Sequence, residues 1–138
     1  MFNKILLAAD GSAHSFRAAE KAINLAKGKD NAKIDIVYVV DGSTSKADVL
    51  ANWNSDVNAK RKEKLKYIED KAREAEVPFE IKVLHGEPGP TIVEYANENK
   101  YDVVVIGSRG RNGLQEMILG SVSHKVAKRA QCPVMIVK

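Results

Sequence analysis

The sequence predicts an α/β domain, a single doubly wound parallel sheet of five strands with helices on both faces. Three observations carry that prediction. Short apolar runs rich in β-branched residues alternate strictly with segments whose apolar residues recur every three or four positions. Most of those runs are continuously apolar, as strands covered on both faces must be. And 138 residues suffice for one domain with one hydrophobic core, without disulfide or metal staples.

The elements follow in order. Residues 3–9 (NKILLAA) form an apolar run ended by Asp10-Gly11-Ser12, a buried strand and a turn, with Ser12 as N-cap of the next segment. Phe16, Ala19, Ala22, Ile23 and Ala26 then mark one helix face, and Gly28 stops it. Residues 33–40 (KIDIVYVV) make the second strand, ended by Asp41-Gly42. Asp35 and Tyr38 interrupt its apolar run, which predicts incomplete burial at one end. Residues 43–54 have no clear period and read as a loop with a helical turn near 47–51; Trp53 has no assigned place there.

Residues 56–76 predict a long charged helix whose apolar stripe is Leu65, Ile68, Ala72 and Ala75. Segment 54–76 carries seven basic and six acidic residues, so even the cluster Lys60-Arg61-Lys62 reads as a solvated face rather than a nucleic-acid patch. Val77-Pro78 breaks this helix. Residues 79–84 (FEIKVL) alternate at period two, a strand; His85-Gly86-Glu87-Pro88 is a turn, and Pro90 or Thr91 opens a helix with Ile92, Val93 and Ala96 on one face. Residues 102–106 (DVVVI) form a buried strand ending at Gly107. Segment 121–130 is helical, with Val122, Val126 and Ala130 in one row, and 133–137 (PVMIV) is the last strand.

Composition excludes several classes. A net charge of +4 is too small to imply a nucleic-acid partner, and no RNA- or DNA-binding motif accompanies it. No apolar run reaches the roughly 20 residues that span a bilayer. A single cysteine allows no internal disulfide, and no leader-like apolar region precedes Asp10; the expectation is a cytoplasmic chain with no membrane partner. His14, His85 and His124 lack metal-ligand spacing. Cys132, before Pro133, reads as a small buried hydrophobe.

Ligands of open α/β sheets bind beyond the carboxyl ends of the strands, where the strand order reverses. The strand ends are therefore the candidate site, and the fourth is the most informative. There Gly107, two residues, Gly110, nine residues and Gly120-Ser121 lead from strand to helix. Glycines at 107 and 110 let backbone N–H groups approach an anion, and a helix opening at Ser121 offers free N–H groups and a positive dipole. Ser121 and Ser123 add hydroxyls; Arg109 and Arg111 add charge. Neither the P-loop motif nor the G-x-G-x-x-G dinucleotide fingerprint is present. Gly86 and Gly89 repeat the shorter spacing, where a turn suffices.

The spaced pattern Gly107-x-x-Gly110-(nine residues)-Gly120-Ser121 resembles the nucleotide-binding signature of the universal stress protein family. The resemblance covers essentially the whole chain, including Asp10-Gly11-Ser12, the segment GSVSHKV at 120–126 and the closing Cys132-Pro133-Val134. It implies a sheet of order 3-2-1-4-5. It also implies a stress-response or regulatory protein that binds an adenine nucleotide, ATP or else AMP or ADP, with Mg2+ as an optional companion. By the same resemblance Asp10 would sit at the ribose and near any divalent ion. Val39 would meet the adenine by backbone hydrogen bonds and packing, and Gly107 would lie against the ribose. Arg109 and Gly110 would approach the phosphates, and Gly120, Ser121, Val122 and Ser123 would cradle them. The resemblance further implies a homodimer through the C-terminal strand, residues 133–138, alongside an unidentified protein partner.

No catalytic constellation stands out, and there is no G-x-S-x-G elbow. Two alternatives stay open at this stage: a slow ATP hydrolase, and a dimeric interaction module without nucleotide.

Overall fold

A computed structural model describes residues 2–9, 13–40, 56–108 and 121–138. Strands β1 (Lys4–Ala8), β2 (Lys33–Val40), β3 (Phe79–His85), β4 (Val103–Gly107) and β5 (Val134–Val137) alternate with helices α1 (Ala13–Ala26), α2 (Asp56–Glu74), α3 (Pro88–Asn99) and α4 (Ser121–Arg129). All four strand pairings are parallel, and the order is β3-β2-β1-β4-β5. Segment 43–54, Trp53 and the N-cap predicted at Ser12 lie outside the described residues.

Side-chain alternation along the central strands sorts the core into two clusters. Ile5, Leu7, Ile34, Ile36, Val103 and Val105 face Ala18, Ala19, Ala22, Ile23 and Ala26 of α1 and Leu65, Ile68 and Ala72 of α2. Leu6, Ala8, Val37, Val104 and Ile106 face Ile92 and Ala96 of α3 and Val126 of α4. This sorting follows from connection handedness. β1-α1-β2-α2-β3 steps one way across the sheet, and β3-α3-β4-α4-β5 steps back, so right-handed crossovers put the two helix pairs on opposite faces. The alanine-rich inner face of α1 lets its axis lie close to the sheet. Its partly buried Phe16 packs tilted against Tyr67 of α2, ring centroids 5.0 Å apart.

Asp35 and Tyr38 are themselves buried, 8% and 5% exposed, and the incomplete burial expected of β2 falls instead on Lys33 and Val39. Asp35 tolerates burial because the Tyr101 hydroxyl donates a 2.6 Å hydrogen bond to its Oδ2, while Lys33 Nζ stands 3.6 Å from Oδ1. Burial, then the hydrogen bond to Asp35, raises the pKa of Tyr101, so the phenol stays protonated and remains the donor. Nearby, the Asp102 carboxylate accepts the N–H groups of Asn3 (3.0 Å) and Lys4 (2.9 Å). Those two bonds hold its pKa below the ordinary carboxylate range.

Most boundaries fall within one or two residues of the sequence reading. Helix α3 starts at Pro88 rather than at Pro90 or Thr91. Glu87 is extended (φ −74°, ψ 126°), and proline is at home in a first helical turn, where its missing N–H is not needed. The period-two pattern of β3 does not become one buried and one exposed face, because β3 is an edge strand, partly covered on both sides. No helix among the described residues is long and apolar enough to cross a membrane.

The Asp35–Tyr101 pair yields a direct prediction. Tyr101→Phe leaves a buried carboxylate without its phenol donor and lowers stability by about 1–3 kcal/mol. Adding Asp35→Val removes the stranded acceptor and recovers part of that loss, measured by denaturant unfolding of both variants. An unchanged Tyr101→Phe midpoint would show that the pair is dispensable.

Candidate functional site

The reversal in strand order lies between β1 and β4, whose carboxyl ends carry the chain to opposite sides. A crevice at such a reversal is the expected ligand site of this architecture.

β2 contributes a backbone edge. Its pairing with β1 ends at Ala8–Val37, with Ala9 N–H donating to Val37 O at 2.9 Å, yet β2 continues to Val40. Backbone groups of alternate residues point to the same side of a strand. Val39 therefore aims its N–H and C=O the way Val37 does, toward β1 but beyond the last β1–β2 pair. Val40 points the other way and accepts from Gly86 N–H at 3.0 Å. The Val39 side chain is half-buried on the α3/α4 side of the sheet. A single residue thus presents one donor and one acceptor beside an apolar surface, which suits the edge and face of a heterocyclic base.

Gly107 ends β4. A Cβ there would stand 2.8 Å from His14 Cβ and 3.0 Å from the His14 carbonyl carbon. Close packing of α1 on the strand end thus explains this glycine, on the side away from Val39. Ser108, buried, donates its N–H to Val137 O (2.7 Å) and accepts the buried Ser123 hydroxyl on its carbonyl (2.8 Å). Ser123 was expected to lend its hydroxyl to a phosphate. In the structure that hydroxyl ties α4 to the end of β4, so Ser123 would serve an anion through its backbone N–H in the first turn of α4. Val122 is half-buried against the α3/α4 cluster, and Ser121 opens α4. Asp10, Arg109, Gly110, Arg111 and Gly120 lie outside the described residues.

Two residues that sequence reasoning did not single out for the site border it. His14 lies in the first turn of α1, its Nδ1 3.0 Å from Arg17 Nη2. Arg17 Nε donates to Lys138 O at 2.8 Å, a contact across 121 positions that no local pattern could reveal.

The lesser glycines are structural. Gly86 has φ +138°, and a Cβ there would meet Thr91 Oγ1 at 2.5 Å; one at Gly89 would meet Lys125 Cδ at 2.8 Å, where α3 and α4 approach. Cys132 is half-buried, and burial pushes its thiol pKa up, away from the reactive thiolate. Among the described residues, no group of three or more His, Cys, Asp or Glu side chains could hold a metal ion.

A family model described as "Universal stress protein family" matches residues 1–138. The universal stress protein YxiE of Bacillus subtilis is 40% identical over 149 aligned positions, with all of both chains covered. A solved universal stress protein in complex with cAMP aligns with a TM-score of 0.76 at 31% identity, covering 99% of this chain and 97% of that one. A universal stress protein family protein from Arabidopsis thaliana with AMP bound aligns with a TM-score of 0.70 at 25% identity, covering 99% of this chain and 91% of that one.

The Gly107 packing is testable apart from any ligand. Gly107→Ala forces α1 off the strand end and lowers stability by about 1–3 kcal/mol, read from thermal or denaturant unfolding of the ligand-free protein. A variant as stable as the parent would mean that α1 can yield without cost.

Proposed function

The chain belongs to the universal stress protein family, and we propose that it holds an adenine nucleotide at the carboxyl ends of β1, β2 and β4, as a stress-response or regulatory protein. The observation that carries this reading is the backbone edge of Val39, directed past the last β1–β2 pair beside the reversal in strand order. An adenine ring can donate its amino group to one carbonyl and accept one N–H, the two groups Val39 supplies. The relatives solved with cAMP and with AMP support the same ligand class.

The remaining roles follow from position. The N–H groups of Ser121, Val122 and Ser123 open α4, where a helix has unsatisfied donors and the positive end of its dipole. With Gly110, Gly120 and Arg109 they would take the phosphates. Asp10, directly after β1, would take the ribose hydroxyls. Gly107 would offer its backbone to the ribose from the side opposite His14. ATP is the proposed ligand, with AMP and ADP as shorter occupants of the same cradle. Mg2+ would be held by the nucleotide's own phosphates with Asp10. Hydrolysis of a bound ATP would rest on Asp10, a metal ion and water, and is proposed to be slow or absent. The edge strand β5 is the proposed surface for pairing with a second copy, through residues 133–138.

Protein purified under native conditions and then denatured should release an adenine nucleotide identifiable by chromatography and mass spectrometry, or bind Mg-ATP on titration. Gly120→Val should abolish binding, because its side chain occupies the space of the phosphates. No binding by the parent at millimolar ATP would overturn the nucleotide reading and favour an interaction module. Sedimentation at micromolar concentration should show a dimer; a single monomeric species would remove the β5 interface.

A further inference from the structure

We propose that the His14–Arg17 pair is a positioning device that makes nucleotide affinity depend on pH. The inference rests on the adenine-nucleotide reading and adds a regulation to the same site.

A guanidinium carries only N–H donors. Arg17 Nη2 lies 3.0 Å from His14 Nδ1, so Nδ1 must be the acceptor. The ring is then neutral, with its proton on Nε2. The same guanidinium donates through Nε to Lys138 O at 2.8 Å, directly after β5. β5 in turn accepts the Ser108 N–H on Val137 O at 2.7 Å. Ser108 follows Gly107, whose missing Cβ leaves room for the His14 backbone and Cβ.

These contacts close a ring: His14 to Arg17, Arg17 to the end of β5, β5 to Ser108, and Gly107 back to His14. The ring backs the end of β4 on the α1 side, and the proposed ribose site lies on its other side. Through the Ser123 hydroxyl on Ser108 O, it also reaches the first turn of α4. Arg17 from α1 and Lys138 beyond β5 are charged groups at the ring, Gly107 and Ser108 of β4 bring no charge, and His14 makes a further contact besides.

Uptake of a solvent proton turns Nδ1 from acceptor into donor. It sets an imidazolium against a guanidinium at hydrogen-bond distance, and the contact must open. Arg17 can then no longer serve His14 and Lys138 together, and the first turn of α1 loses its fixed seat on the strand end. Affinity should therefore fall as the pH drops below neutrality. A loss of about tenfold is expected between pH 7.5 and 5.5.

The test compares the full chain with His14→Asn, whose amide oxygen can accept from Arg17 without titrating. Binding of AMP is measured by calorimetry from pH 5.5 to 7.5. Both proteins see the same ligand, so titration of the phosphate cancels in the ratio of their affinities. The expected result is a ratio that changes about tenfold across the range, with His14→Asn the flatter of the two. Nitrogen-15 NMR of the ligand-free imidazole should show the Nε2–H tautomer at neutral pH. Parallel pH profiles, or an Nδ1–H tautomer, would overturn the proposal while leaving nucleotide binding intact. Absence of AMP binding at every pH would overturn it together with the functional reading beneath it.

Discussion

The reversal of direction between β1 and β4 is the constraint from which the rest of the molecule follows. A chain that steps β1 to β2 to β3 and then returns to β4 and β5 must place α1 and α2 on one face and α3 and α4 on the other. The two strands at the reversal are then covered on both sides, and their sequences show it: Ile5, Leu6 and Leu7 of β1 and Val103, Val104 and Val105 of β4 are all buried. Full burial of such a side chain contributes about 1.5–3 kcal/mol, against roughly 1 kcal/mol net for an ordinary hydrogen bond. Apolar burial therefore sets the architecture, and polar contacts refine it.

The polar contacts divide between the two ends of the sheet. At the amino end Asp102 gathers two backbone N–H groups and the Tyr101 hydroxyl donates to one oxygen of buried Asp35. Side chains there satisfy other groups of the protein, which fixes register and leaves little for a ligand. At the carboxyl end β2 outruns its pairing with β1, and α4 begins beside the end of β4. Among the described residues, hydrogen-bonding capacity remains there on the backbone edge of Val39, in the first turn of α4, and on the two buried ring nitrogens of His85, which have no hydrogen-bond partner.

The fold was legible because its signals are local. Buried parallel strands are short, apolar and β-branched, and the helix stripe Leu65, Ile68, Ala72 needs no tertiary knowledge to be seen. The strand order was legible only through the family resemblance, since periodicity says nothing about which strand neighbours which. The misjudged burial of Asp35 has a long-range cause: its partner Tyr101 lies 66 positions away. The Arg17–Lys138 contact is hidden in the same way. The Val39 edge was named only through the resemblance, because its significance lies in where β1 stops, not in valine itself.

Gly107 shows why a motif and its physical cause must be kept apart. A glycine-spaced signature invites the conclusion that each glycine makes room for phosphate or ribose. At 107 the space a side chain would fill already belongs to His14, on the face turned away from Val39. The residue would be a glycine for the sake of α1 even without a ligand. Yet the two demands are linked. Seating α1 against the strand end fixes the height at which β4 stops, and Ser108 passes that position to β5 and, through Ser123, to α4. The helix that would receive phosphate is thus aligned by the same packing that requires the glycine. A signature of this kind can persist because fold and site share its residues, and its presence alone cannot separate a nucleotide carrier from a relative that has kept only the fold. The Val39 backbone edge is independent of the signature, and for that reason it bears more of the weight of the nucleotide reading than the glycines do.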